Sequence, residues 1–117
     1  MRKLGVTYEA FDVVIVPFPF TDLPVSRKRP AVILTEREPY GALTGHCVIA
    51  MITAATGSSW PFDRPIADPA TAGLHKPCFM RMKLFTFDER LIIRKVGRLA
   101  EQDQQTARAA IRDLFGG

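Results

Sequence analysis

Histidine and cysteine are scarce in this 117-residue chain, which holds only His46, His75, Cys47 and Cys78. Two scattered histidines with no CxxC pair argue against a metal centre, and no cofactor is expected. Each cysteine sits beside apolar residues, the pattern of reduced core thiols in a cytosolic protein rather than of a disulfide framework. No GxSxG turn and no phosphate-cradling glycine loop occurs, so the serine-hydrolase and nucleotide-loop chemistries have no foothold. No two carboxylates are spaced for paired acid–base work: Asp63 and Asp68 fall in turn segments, where capping is the ordinary role. No apolar stretch nears the roughly 20 residues that span a bilayer. The Met1-Arg2-Lys3 start imitates a secretory leader, but Glu9 and Asp12 interrupt the apolar part and Pro17 and Pro19 break it. The expectation is a soluble, cytoplasmic chain without a membrane partner. With no repeat, linker or low-complexity tract, residues 1–117 read as a single domain.

What is present is an ordinary globular composition with a modest excess of positive charge. Sixteen Lys and Arg stand against twelve Asp and Glu, for a net charge of +4, which leans towards an anionic partner, nucleic acid first. Phe11 to Phe18 is rich in β-branched residues and apolar on both faces, as a covered strand requires. Pro30 to Thr35 and Thr44 to Ala54 read as the second and third strands. The "TEREPYGALTG" between them reads as a loop. A short strand is expected near Asp63 to Ala67. "CFMRMKLF" alternates, with Cys78, Met80, Met82 and Leu84 on one face and Phe79, Arg81, Lys83 and Phe85 on the other. Leu91 to Leu99 is the last strand, with Gly97 as a bulge or close-approach point. The period then changes. Ala107, Ala110, Ile111, Leu114 and Phe115 follow helical spacing from about Glu101 to the stop at Gly116-Gly117. Five or six strands followed by one capping helix predict a mainly β fold, a small and strongly curved antiparallel barrel.

The cations of "SRKRP" are the first candidates for chemistry. Arg29 precedes Pro30, and a pre-proline residue is driven into extended geometry. Its guanidinium is thereby aimed from the mouth of a strand and can give two hydrogen bonds to a phosphate. Thr53 is the second. It is the first polar residue after the apolar run Cys47 to Ile52, where a hydroxyl can reach a ligand at the end of the sheet.

Together, "DVVIVPFPFTD", "RKRPAVIL", "VIAMITA", "AGLHKPC" and "IIRKVGRLAEQD" resemble, in order, the MazF/PemK-like toxins of type II toxin–antitoxin systems, and most closely the PemK-like branch. The resemblance runs from about residue 11 to 115. It implies an SH3-like β-barrel with a C-terminal helix, also shared by CcdB-like proteins, and a homodimer. It implies a sequence-specific, metal-independent endoribonuclease that cuts single-stranded RNA and is blocked by a cognate antitoxin. In that reaction the RNA's 2'-hydroxyl attacks the adjacent phosphate and leaves a 2',3'-cyclic phosphate. The family's catalytic Arg and Thr map onto Arg29 and Thr53.

The residue chemistry agrees with this. A nucleophile tethered in the substrate leaves the enzyme to stabilise charge and manage protons. Single-strand grooves also combine cations with aromatic platforms. The segment from Phe18 to Lys28 would form a lip over the groove, with Arg27 and Lys28 on flanking phosphates and Phe20 and Trp60 as platforms. The face bearing Arg81 and Lys83 would either bind RNA or pack at a dimer seam. Two other functions share the shape: a non-catalytic, gyrase-poison-like binding module, and a toxin that binds RNA or antitoxin without efficient cleavage.

Three residues depart from the family pattern. Phe11 stands where Gly is common, Cys78 where Ser is common, and Ala100 where a Ser-type helix cap is usual. The last should cost about 1 kcal/mol of helix stability.

Overall fold

The computed structural model describes residues 7–18, 27–56 and 59–117. In chain order these form β1 (Asp12–Phe18), β2 (Arg27–Ile33), a wound turn (Arg37–Gly41) running into the short helix α1 (Ala42–Thr44), β3 (His46–Ala54), β4 (Arg64–Pro65), β5 (Cys78–Asp88), a 3-10 turn (Glu89–Leu91), β6 (Arg94–Arg98) and α2 (Glu101–Phe115). The six strands make one sheet in the order β4-β5-β3-β2-β1-β6, antiparallel at every pairing. The sheet curls into a half-barrel with α2 packed against it, in agreement with the mainly β expectation.

Alternation along the strands builds a core on each face of the sheet. Val13, Val32, Ala50, Ile52, Met80 and Met82 join Ala107 and Ala110 of α2 in one cluster. Val14, Val16, Ala31, Ile33, Ile49 and Met51 join Phe87, Ile92 and Tyr8 in the other. A strand covered on both sides needs apolar residues at successive positions, which is why β1 and β3 read as unbroken apolar runs.

Several boundaries differ from the sequence reading. β2 begins at Arg27, not Pro30, because β1 pairs with the cationic stretch: Phe18 faces Arg27, Pro17 faces Lys28 and Val16 faces Arg29. β5 runs on to Asp88 and takes up two extra residues, Met82 and Lys83, between the pairs Met51↔Arg81 and Ala50↔Leu84. The segment expected as loop before β3 winds into helical turns instead. Leu91 belongs to a turn that the Asp88 carboxylate caps by accepting from the Arg90 amide. Phe115, expected on the buried stripe of α2, is exposed.

The two edges are both blunted. β4 is two residues long and contains Pro65. β6 bulges at Val96, skipped between Val13↔Gly97 and Val14↔Lys95, and carries Arg94, Lys95 and Arg98. Gly97 is also a close-approach point, since a Cβ there would lie 2.4 Å from the carbonyl carbon of Ala72.

The family departures resolve in physical terms. Phe11 has φ +72°, a region glycine enters freely and L-residues enter at a cost of about 1–2 kcal/mol. Its ring is buried and the Arg108 guanidinium lies 4.6 Å from its centroid. Ala100 is the N-cap of α2 and supplies no side-chain acceptor. The Asp103 carboxylate, almost fully buried, turns away from the helix end and accepts from the amides of Ala67 (2.8 Å) and Asp68 (2.9 Å).

Candidate active site

Pro30 has no amide proton to donate, and the β2–β3 ladder reaches only as far as Ala31 opposite Met51. Beyond that pair the two strands part. Arg29 lies two residues before Ala31 and Thr53 two residues after Met51, so the two residues hold matching positions on the strands that flank the opening. β1 holds β2 in place behind them through Val16↔Arg29, and β5 holds β3 through Thr53↔Phe79.

Arg29 and Thr53 together border two concavities. The larger, about 350 Å³, is also lined by Lys28, His75, Lys76, Cys78 and Arg94. The smaller, about 180 Å³, is lined by Phe18, Met51, Ile52, Arg81 and Lys83 as well. No Asp or Glu is among the described residues that line either one. Although the chain as a whole carries only +4, the charge that the described residues present to these hollows is all of one sign. Among the described residues, Lys28, Arg29, Lys76 and Arg94 have no carboxylate partner.

The other expected contacts divide. Lys83 lines the smaller concavity and its Nζ lies 4.5 Å from the centroid of the exposed Trp60 ring. That places an aromatic face and a cation side by side at its rim. Arg81 is engaged: its Nε donates to Asp63 Oδ1 (3.2 Å) and its Nη2 to Asp63 Oδ2 (3.0 Å). This pairing raises the Arg81 pKa further. The same carboxylate accepts from the Trp60 amide, so the Arg81–Asp63 pair anchors the turn that carries Trp60 onto β5. Asp63 caps a turn, as expected, and Asp68 does so too by accepting from the Thr71 amide and hydroxyl. The latter bonds hold the Asp68 carboxyl below the usual range. Arg27 is exposed on β2 but borders neither concavity. Phe20 lies outside the described residues. Phe18 packs edge-to-face on Phe85, ring centroids 5.8 Å apart, and forms part of the smaller concavity's wall.

His75, which the sequence places in a turn leading into a strand, lines the larger concavity with Lys76 and Arg94, and none of the three is among the expected site residues. The faint signal was the pairing of "HKP" with the start of β5, which returns to the end of β3 through Ala54↔Cys78. Cys78 also lines the larger concavity, buried, with its Sγ donating to the Lys76 carbonyl (3.3 Å). Burial pushes its pKa up, which leaves it a thiol and not a nucleophilic thiolate. Burial also pushes Cys47 up, to about 12. Among the described residues no three His, Cys, Asp or Glu side chains gather into a metal-holding group, and no helix is long and apolar enough to cross a membrane.

Comparison with known proteins follows the same lines. A chain from the MazE–MazF crystal structure of Deinococcus radiodurans superposes with a TM-score of 0.71 at 20% identity, over 93% of this chain and 96% of that one. The Mycobacterium tuberculosis toxin MazF-mt6 gives 0.69 at 22% identity, over 90% and 96%. A mycobacterial endoribonuclease solved with its cognate antitoxin gives 0.66 at 12% identity, over 93% of each chain. At these identities the likeness establishes the fold. No curated protein sequence is significantly similar to the chain. The family model of PemK-like, MazF-like toxins of type II toxin–antitoxin systems, however, matches residues 9–115, and with that match, the curled half-barrel and the Arg-Pro strand opening, the chain belongs to the PemK/MazF toxin family.

Proposed function

We propose that the chain is a single-domain, sequence-specific and metal-independent endoribonuclease toxin that cleaves single-stranded RNA through the RNA's own 2'-hydroxyl. The observation that carries this reading is that Arg29 and Thr53 border the same two hollows, whose charged lining among the described residues is entirely cationic. A phosphodiester lying over that opening brings its non-bridging oxygens to the Arg29 fork and the Thr53 hydroxyl. Both are donors, and they stabilise the charge that builds as O2' closes on phosphorus. The flanking phosphates run past Lys28, Lys76 and Arg94 on one side and Lys83 on the other. Trp60 stacks a base at the rim beside Lys83, on a turn held by the Arg81–Asp63 pair. Arg27, exposed on β2, extends the contact, while residues 19–26 of the expected lip, Phe20 among them, lie outside the described residues.

A cognate antitoxin that covers the groove, a homodimer and a cytoplasmic setting complete the proposal. The similar solved complexes of MazE with MazF, and of an endoribonuclease with its antitoxin, support the antitoxin. The test is incubation of the purified protein, in chelator, with end-labelled RNA and its all-deoxy counterpart. Cleavage of RNA alone, with a cyclic-phosphate end, is the expected result. No cleavage of either would replace the nuclease with a binding module, and a gel shift without cutting would make the chain a degenerate toxin.

A further inference from the structure

Arg29 and Thr53 are both donors at neutral pH, since a guanidinium stays protonated and a hydroxyl gives its proton to the phosphate. What the pair lacks is an acceptor for the proton of the attacking 2'-hydroxyl. Among the described residues, the lining of the two concavities supplies few other groups. Lys28, Lys76, Lys83, Arg81 and Arg94 are cations, and Cys78 is a buried thiol. His75 is the exception, because a neutral imidazole carries one ring nitrogen that accepts a proton. The chain's other histidine, His46, opens β3 opposite Asp88 and bonds the Thr44 carbonyl through Nδ1.

His75 is exposed, yet it rides on a loop pinned at several points. The Gly73 amide donates to Ala70 (3.0 Å) and the Leu74 amide to Pro69 (2.9 Å). Gly73 has φ +78°, and a Cβ there would fall 2.2 Å from the Val96 carbonyl oxygen. With the close Gly97–Ala72 approach, this seats the loop against β6. At its far end the Ala55 amide, one residue beyond β3, donates to the Pro77 carbonyl (3.0 Å). A loop fastened to β6 on one side and to the exit of β3 on the other carries His75 to the hollow that Arg29 and Thr53 border.

We infer that His75 is the proton acceptor of the cleavage site, a role that rests on the ribonuclease reading above. The neutral imidazole takes the 2'-hydroxyl proton as the O2'–P bond forms. The P–O5' bond breaks, and the 5'-oxygen leaves with the bonding pair and is protonated by solvent water. The imidazolium then returns its proton to solvent. The charged and titratable groups facing it are Lys28 and Arg29 from β2, Cys78 from β5, Arg94 from β6 and Lys76 from its own loop.

The experiment measures the pH–rate profile of RNA cleavage for the wild type, His75→Gln and His75→Ala, alongside binding of an uncleavable 2'-O-methyl RNA. Loss of a general base typically lowers kcat about a hundredfold or more. The expected result is that loss with unchanged 2'-O-methyl RNA affinity, disappearance of the acid limb of the profile, and recovery of His75→Ala by added imidazole. Wild-type kcat in His75→Gln, or an acid limb that survives, overturns the assignment while leaving the nuclease reading intact. A defect that vanishes when the leaving 5'-oxygen is replaced by sulfur would show an acid rather than an acceptor, and overturns it too. A wild-type protein that cuts no RNA removes the ribonuclease reading and this one with it.

Discussion

Arg29 carries the most weight among single residues, because its forked, permanent cation borders both concavities together with Thr53. Replacing one preorganised donor to a developing oxyanion typically costs a factor of about 100 or more. Arg29→Ala should therefore fold normally, since the side chain is exposed, and lose RNA cleavage by at least about a hundredfold. A melting curve and a cleavage assay check the two halves of that statement. Phe11 is a contest of another kind, between a left-handed backbone and a buried ring. Truncating a buried Phe costs about 3–5 kcal/mol, which exceeds the roughly 1–2 kcal/mol of backbone strain. Phe11→Gly and Phe11→Ala should both destabilise, with the Gly variant the more stable by about 1 kcal/mol because only the Ala variant keeps the strain. Urea titration orders the three proteins, and an Ala variant at least as stable as the Gly variant would refute this account.

At the scale of elements, α2 shows what its sequence omits. It ends well, with Gly116 at φ +75° and its amide reaching the Arg112 and Asp113 carbonyls. It begins without a side-chain acceptor at Ala100, with the acidic Glu101 in its first turn. Ala100→Ser should therefore stabilise the protein by about 1 kcal/mol, seen as a raised Tm. Asp103 serves the neighbouring loop instead, where its carboxylate satisfies two backbone donors. Asp103→Ala leaves those amides without that acceptor, at about 1–3 kcal/mol each, so a loss of several kcal/mol by denaturant unfolding is expected. A change under about 1 kcal/mol would mean that other acceptors replace it.

At the scale of the whole molecule, the distribution of charge matters more than its sum. The carboxylates are spent on structure: Asp12 pairs with Lys95 and Arg98, Asp63 with Arg81, Asp88 with Arg90 and Glu89 with Arg37. Lys28, Arg29, Lys76 and Arg94, with Lys83 at the rim, are left to face the hollows. Each phosphate contact on a single strand contributes about −0.7 to the slope of log affinity against log salt. Five such contacts predict a slope of about −3.5, and Arg94→Ala or Lys76→Ala should each flatten it by about 0.7. Fluorescence anisotropy with 2'-O-methyl RNA across a salt series measures both, and a flat dependence would argue against a phosphate-tracking groove.

Local chemistry acts over a few residues, so it was readable in order. The β-branched run of β1, the alternation of β5, the uncapped start of α2 and the extended geometry of Arg29 before Pro30 all follow from neighbouring side chains. The union of distant segments does not. That Arg29 and Thr53 border the same hollows, that Asp63 claims the Arg81 fork, and that the loop of His75 is carried there too depend on strand register and on two glycines pressed against backbone. Those contacts join residues far apart in the chain, and nothing in the residues on either side of His75 specifies which strand end it will face.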